Sequence, residues 1–118
     1  MNPAPRIVFV DCETTGLDPE RHEPFEVALI DGATNEERVY LFPADLEVAD
    51  PGALRINRFY ERFPLLECRG NLSYDGEHDY RADARAVARF TSNAILAGNV
   101  VSFDAAMLVR LLKRFSLA

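Results

Sequence analysis

The sequence predicts one mixed α/β domain: strands first, then two helices, a late strand able to join the early sheet, and a final helix. Three observations carry this. β-rich apolar runs separated by turn signals lie between Ile7 and Phe42. Apolar residues at helical spacing take over in the second half. A two-valine run, Val100-Val101, falls between the last two helical patterns. The 118 residues suit a single domain, 1–118, with no room for a second core.

Ile7-Val8-Phe9-Val10 reads as a central, doubly covered strand, ending at Asp11-Cys12-Glu13. Thr14-Thr15-Gly16 reads as a turn, and Asp18 to Pro24 as a polar loop. Phe25 to Ile30 is the second strand, and Asp31-Gly32 a hairpin signal. Arg38 to Phe42 is the third strand, stopped by Pro43, which completes an antiparallel meander. Pro51 suits a helix start. Leu54, Ile56, Phe59, Tyr60 and Phe63 then recur at roughly helical spacing across 53–63. The stretch 67–80, with Asp75-Gly76, reads as a loop. Arg81 to Ala97 is predicted as a helix with Val87, Phe90 and Ala94 inward, ended by Gly98. Val100-Val101 is the late strand. Asp104 opens the last helix, whose inward stripe is Met107, Leu108, Leu111, Leu112 and Phe115.

Composition narrows the function. Hydrophobic residues are 48% and charged residues 27%, ordinary for a soluble globular protein. No run is long and apolar enough to cross a bilayer, and the first residues lack a signal-type apolar core. The expectation is a cytoplasmic protein without a membrane partner. Cys12 and Cys68 form no disulfide framework; Cys12 in an apolar strand is a buried free thiol. His22 and His78 sit in polar surroundings and read as solvated. A net charge of −6 argues against a general basic nucleic-acid surface. Arg81, Arg85 and Arg89 stripe one helix face, and Arg55, Arg58 and Arg62 another. Either set could meet phosphates, although a solvated helix face is the commoner cause.

Strand alternation puts Asp11 and Glu13 on one face. Two carboxylates there repel unless cations sit beside them, and hard oxygen donors suit Mg2+ or Mn2+. Two such ions about 4 Å apart can activate a water and stabilise the leaving oxygen of a phosphodiester. The simpler alternative is a pair of polar residues at a strand end. Asp104 falls at a strand-to-helix junction, where an N-cap role alone would explain it.

Asp11-Cys12-Glu13-Thr14-Thr15-Gly16 after an apolar strand, and Phe103-Asp104 opening a helix after a short strand, together resemble the DEDD (DnaQ-like) 3′-to-5′ exonuclease superfamily. That group includes proofreading subunits of bacterial replicative polymerases and ribonuclease T. The first motif matches at every fixed position, and the resemblance spans nearly the whole chain. It implies a ribonuclease-H-like fold and release of nucleotides from single-stranded 3′ ends of DNA or RNA. It makes Asp11, Glu13 and Asp104 catalytic ligands of two Mg2+ or Mn2+ ions. Thr14, Thr15 and Gly16 would approach the terminal nucleotide, and Leu17 and Phe103 would pack against its base, with core packing the alternative for both.

Two departures stand out. Many members place an Asn three residues before the second-motif Phe; here Val100 stands there, and Asn99 one position earlier. The DEDDh subgroup also ends on a His followed five residues later by an Asp. Here both His residues precede Asp104, and no acid follows it. The expectation is therefore an incomplete, C-terminally truncated exonuclease domain, inactive or weak by itself because no residue is left to deprotonate the water. A polymerase or other subunit, or a second copy in a homo-oligomer, could supply the missing layer. The alternative is an exonuclease-fold module that has lost catalysis and serves a binding or structural role. A phosphotransferase with an Asp nucleophile would need Asp where Glu13 stands.

Overall fold

The computed structural model describes residues 4–57, 68, 69, 71, 72 and 78–118. Its frame is a four-stranded sheet in the order β3 (Glu37–Leu41), β2 (Pro24–Asp31), β1 (Arg6–Thr14), β6 (Ala94–Ala97). β1, β2 and β3 form the expected antiparallel meander. The hairpin after β2 closes on Asp31, whose Oδ1 accepts the Ala33 and Thr34 N–H groups at 2.8 and 3.1 Å. Asn35 there takes φ 59°, a left-handed conformation that Asn tolerates better than most residues. Two backbone hydrogen bonds hold the Asp31 carboxyl below its usual range, with help from Arg6 3.6 Å away.

The helices are α1 (Pro51–Ile56), α2 (Tyr80–Thr91) and α3 (Val101–Arg114), with a 3-10 turn at Leu46–Val48 and a two-stranded β4 (Cys68–Arg69) and β5 (Asn71–Leu72). α1 starts at Pro51 as expected, capped by Asp50, whose side chain accepts the Gly52 N–H. Phe59, Tyr60, Phe63, Arg58, Arg62 and the Asp75-Gly76 turn lie outside the described residues.

Two expectations are corrected. The helix expected over 81–97 ends at Thr91, and Ala94–Ala97 is the late strand β6, parallel to β1. Ser92 turns extended and Asn93 goes left-handed, at φ 55°, so the chain reverses five residues before Gly98. Apolar periodicity could not see this, because Ala94 and Ile95 fit a helix stripe and a short strand equally well. The strand expected at Val100-Val101 is instead the start of α3, and Val100 is its N-cap.

The core lies between one sheet face and the helices. Val8, Val10, Cys12, Val27 and Leu29 meet Ala84 and Val87 of α2 and Met107, Leu108 and Leu111 of α3. A second cluster of Phe25, Ala44 and Leu54 seats α1 beside β2. β1 is central but not covered on both faces. Only its even-numbered side chains are buried, while Ile7 and Phe9 stay 44% and 48% exposed. Val39 and Ile95 flank them on the same open face. Among the described residues no helix is long and apolar enough to span a membrane.

Candidate functional site

The site forms where β1 outruns its neighbour. β6 pairs with β1 only as far as Phe9↔Ala97. Cys12, three residues further along β1, has no β6 residue registered opposite it. Asp104, in the first turn of α3, fills the gap: its Oδ1 accepts the Cys12 N–H at 3.0 Å, in a buried position. Asp104 is therefore not the N-cap of its helix; it reaches across to the first motif. A buried amide without a partner costs about 1–3 kcal/mol, so this bond holds both α3 and the strand end in place.

Gly98 makes the approach possible. A methyl on its Cα would sit 2.7 Å from the Val10 carbonyl oxygen and 3.6 Å from Asp104 Oδ2. The chain leaving β6 thus passes against β1 backbone beside the carboxylate, where any side chain would push it off.

Asp11 and Glu13 lie together on the open face of β1, as alternation requires, with Cys12 buried between them. The strand register slips between Glu13 and Thr14, where β2 begins at Pro24 and has no N–H to offer. Beyond that bulge the motif is tightly tied to itself. Thr14 donates its hydroxyl to Gly16 O at 2.7 Å. Thr15, fully buried, exchanges two bonds with Glu23: its N–H donates to Glu23 O at 2.9 Å, and its hydroxyl accepts Glu23 N–H at 3.1 Å. Gly16 lies beneath the His22 ring, where a methyl would come within 2.3 Å of Nδ1. His22 is thus a half-buried part of the loop, and its Nδ1 accepts the Asp18 N–H at 3.1 Å.

A pocket of about 260 Å³ opens between the first motif and α1, with Phe103, the residue before Asp104, in its lining. One wall is Cys12, Thr14, Leu17 and Phe103, and the other is Asp50, Gly52, Ala53, Ile56 and Asn57. The sequence reading placed Thr14, Leu17 and Phe103 in one site, and they do share this pocket. It did not find the α1 wall. Ile56 and Leu17 are 81% and 79% exposed, two large apolar side chains at its rim. Asn57 braces the two walls, donating Nδ2 to Thr14 O at 2.9 Å. The Asp50-Pro51 helix start was readable; that its helix would face Leu17 was not.

Electrostatics here are dominated by negative charge. Burial pushes the Asp104 carboxyl up, the Cys12 N–H opposes that, and the Asp11 charge adds to the rise. Burial also pushes the Cys12 thiol up, reinforced by Asp104 and Asp11, so it stays protonated and inert as a nucleophile. Hard carboxylate donors that destabilise one another's charge fit a divalent cation chemically. Geometrically, no three His, Cys, Asp or Glu side chains among the described residues gather closely enough to hold a metal ion by themselves. Water or phosphate oxygens would have to complete the coordination, as is usual for Mg2+.

No protein-family model matches the sequence, and no curated protein matches it either. Solved structures do. Apo exonuclease I superposes with a TM-score of 0.69 and 23% identity, over 96% of this chain and 25% of that one. Product-bound exonuclease I gives 0.69 and 20%, over 96% and 26%. A metal-free E. coli exonuclease I–single-stranded DNA complex gives 0.68 and 23%, over 95% and 24%. The chain thus spans about a quarter of the length of these proteins. The likeness at this identity is one of fold: three antiparallel strands, a parallel fourth and flanking helices make this a ribonuclease-H-like mixed sheet of the exonuclease I type.

Proposed function

We propose that this domain carries the nucleotide-binding and metal-binding part of a divalent-metal-dependent 3′-to-5′ exonuclease site acting on single-stranded ends. The observation that supports this most is the bond from Cys12 N–H to Asp104, which ties the second-motif carboxylate to the backbone of the first motif, while Cys12 and Phe103 line the Leu17–Ile56 pocket. Exonuclease I structures with single-stranded DNA and with product share the fold.

On this reading Asp11, Glu13 and Asp104 are the carboxylates that would hold Mg2+ or Mn2+, and because the three do not converge by themselves, water or phosphate oxygens would have to supply the other ligands. Bound there, the cations supply the charge that a phosphodiester needs to be attacked. Leu17 and Ile56 take the terminal base between apolar surfaces, and Phe103 backs it. Apolar burial of this kind reads no base edges and is therefore insensitive to sequence. The Thr14 hydroxyl is engaged with Gly16 O, so Thr14 shapes the pocket and offers the nucleotide little new hydrogen bonding. Thr15 and Gly16 act through the loop they hold. The partners on this reading are a single-stranded 3′ end and, beyond it, a polymerase, another subunit or a second copy. The fact that no three donors converge among the described residues favours a second reading, a module that keeps the fold and binds ends without cutting them.

End recognition tests the shared part of both readings. With Mn2+ present, the chain is expected to bind a linear single-stranded oligonucleotide at least tenfold more tightly than a circular one of the same length. Leu17→Ser and Ile56→Ser should each erase most of that preference. Equal affinity for circle and line, measured by fluorescence anisotropy, would remove the pocket from the account.

A further inference from the structure

Glu23 lies in the polar loop before β2, where the sequence marks nothing functional, yet its side chain is only 14% exposed, and its backbone and side chain together contact three separate parts of the site. Its backbone exchanges two hydrogen bonds with Thr15, in the motif loop that carries Thr14 and Leu17. Its Oε2 accepts the Asp45 N–H at 3.2 Å, on the segment leading into α1 and the Ile56 wall. Its carboxylate also pairs with Arg110 and Arg114 of α3, at 3.7 and 3.6 Å, on the helix that carries Phe103 and Asp104. Arg114 in turn donates to Pro43 O, just before Asp45. Glu23 therefore holds the Thr15 loop through its backbone, and its carboxylate joins the Asp45 segment to the helix that carries Asp104.

We propose that Glu23 is a positioning residue that fixes the spacing of the two pocket walls and so sets affinity for the terminal nucleotide. The proposal rests on the nuclease reading above and deepens it. Glu23 neither lines the pocket nor lies beside Asp104; it acts through the Thr15 loop and the Asp45 segment. With a neutral amide in its place, the amide oxygen could still accept the Asp45 N–H, but the ion pairs with Arg110 and Arg114 would be lost, and with them the charge-assisted tie of the α1 segment to α3. Asp11 and Glu13 are placed by the β1 backbone, and Asp104 is held by the Cys12 N–H, so metal uptake should not follow.

The experiment is titration of the 118-residue chain with Mn2+, then with thymidine 5′-monophosphate at saturating Mn2+, for wild type, Glu23→Gln and Arg114→Gln. Glu23→Gln should weaken nucleotide binding at least tenfold while Mn2+ affinity stays within twofold. Arg114→Gln, which keeps Glu23 and its bond to Asp45, should weaken it about threefold. Parallel loss of Mn2+ and nucleotide in Glu23→Gln, in step with the unfolded fraction, would make Glu23 merely structural and overturn the proposal. If Glu23→Gln does not fold, Arg114→Gln decides, and unchanged nucleotide affinity there overturns it too. A wild type that takes up neither probe overturns the nuclease reading itself. A wild type that binds both, matched by Glu23→Gln, overturns the positioning role alone.

Discussion

Asp104→Asn is expected to raise the melting temperature of the metal-free chain by a few degrees and to abolish its further rise with Mn2+. The two effects have opposite signs and one cause. The amide keeps an oxygen for the Cys12 N–H, so the bond that anchors α3 survives. It removes a charge that burial and the Asp11 carboxylate both disfavour. Wild type recovers that penalty only when a cation binds. At Mn2+ a hundredfold above its dissociation constant, the gain is about 2.7 kcal/mol, which is several degrees for a domain of this size. The pH dependence has a definite sign. A carboxyl whose folded pKa is raised binds its proton more tightly in the folded state, so metal-free wild type should gain stability as pH falls through that raised value, and the gain stops below the unfolded value. Asp31 works the other way: its lowered pKa contributes stability above the unfolded value, lost as pH falls through the folded one. Asp104→Asn should flatten the first limb and leave the second. Thermal melts across mildly acidic to neutral pH, with and without Mn2+, check this. A variant that loses stability without metal would mean that the Asp104 charge is already compensated.

The second large effect is expected at Gly98. Gly98→Ala puts a methyl 2.7 Å from the Val10 carbonyl, backbone that cannot swing aside. Either β6 or the start of α3 must move, and overpacking of this kind costs about 1–3 kcal/mol. Because α3 carries Asp104, the displacement should also weaken Mn2+ uptake, beyond what the fraction unfolded explains. Ser102→Ala, on an exposed residue of the same helix turn, is the control and should change neither. Wild-type stability in Gly98→Ala, measured by urea denaturation, would show that the close approach of β6 to β1 is not required.

How far the sequence could be read follows from which physics acts locally. The meander was legible because alternation and turn chemistry are local signals: Val8, Val10 and Cys12 face in, and Asp31 closes its own turn. The placement of Asp11 and Glu13 on one face came from the same alternation. The boundary at Thr91 was not legible, because Ala94 and Ile95 fit either period and the deciding residues, Ser92 and Asn93, act through backbone conformation. Asp104 was found by its pairing with Phe103. Its local chemistry suggested a helix cap, whereas its bond spans 92 residues. The α1 wall of the pocket and the Glu23 junction depend wholly on how distant segments pack, and no spacing rule reports that. His22 was passed over because a polar loop hides the bare Gly16 backbone beneath its ring.

Mn2+ titration of the 118-residue chain, followed by electron paramagnetic resonance, tests the central claim most directly. Wild type should show saturable uptake, and Asp11→Ala should lose it while its circular dichroism stays that of the folded protein. Uptake that is absent in wild type, or undiminished in Asp11→Ala, would contradict the assignment of these carboxylates to a cation site.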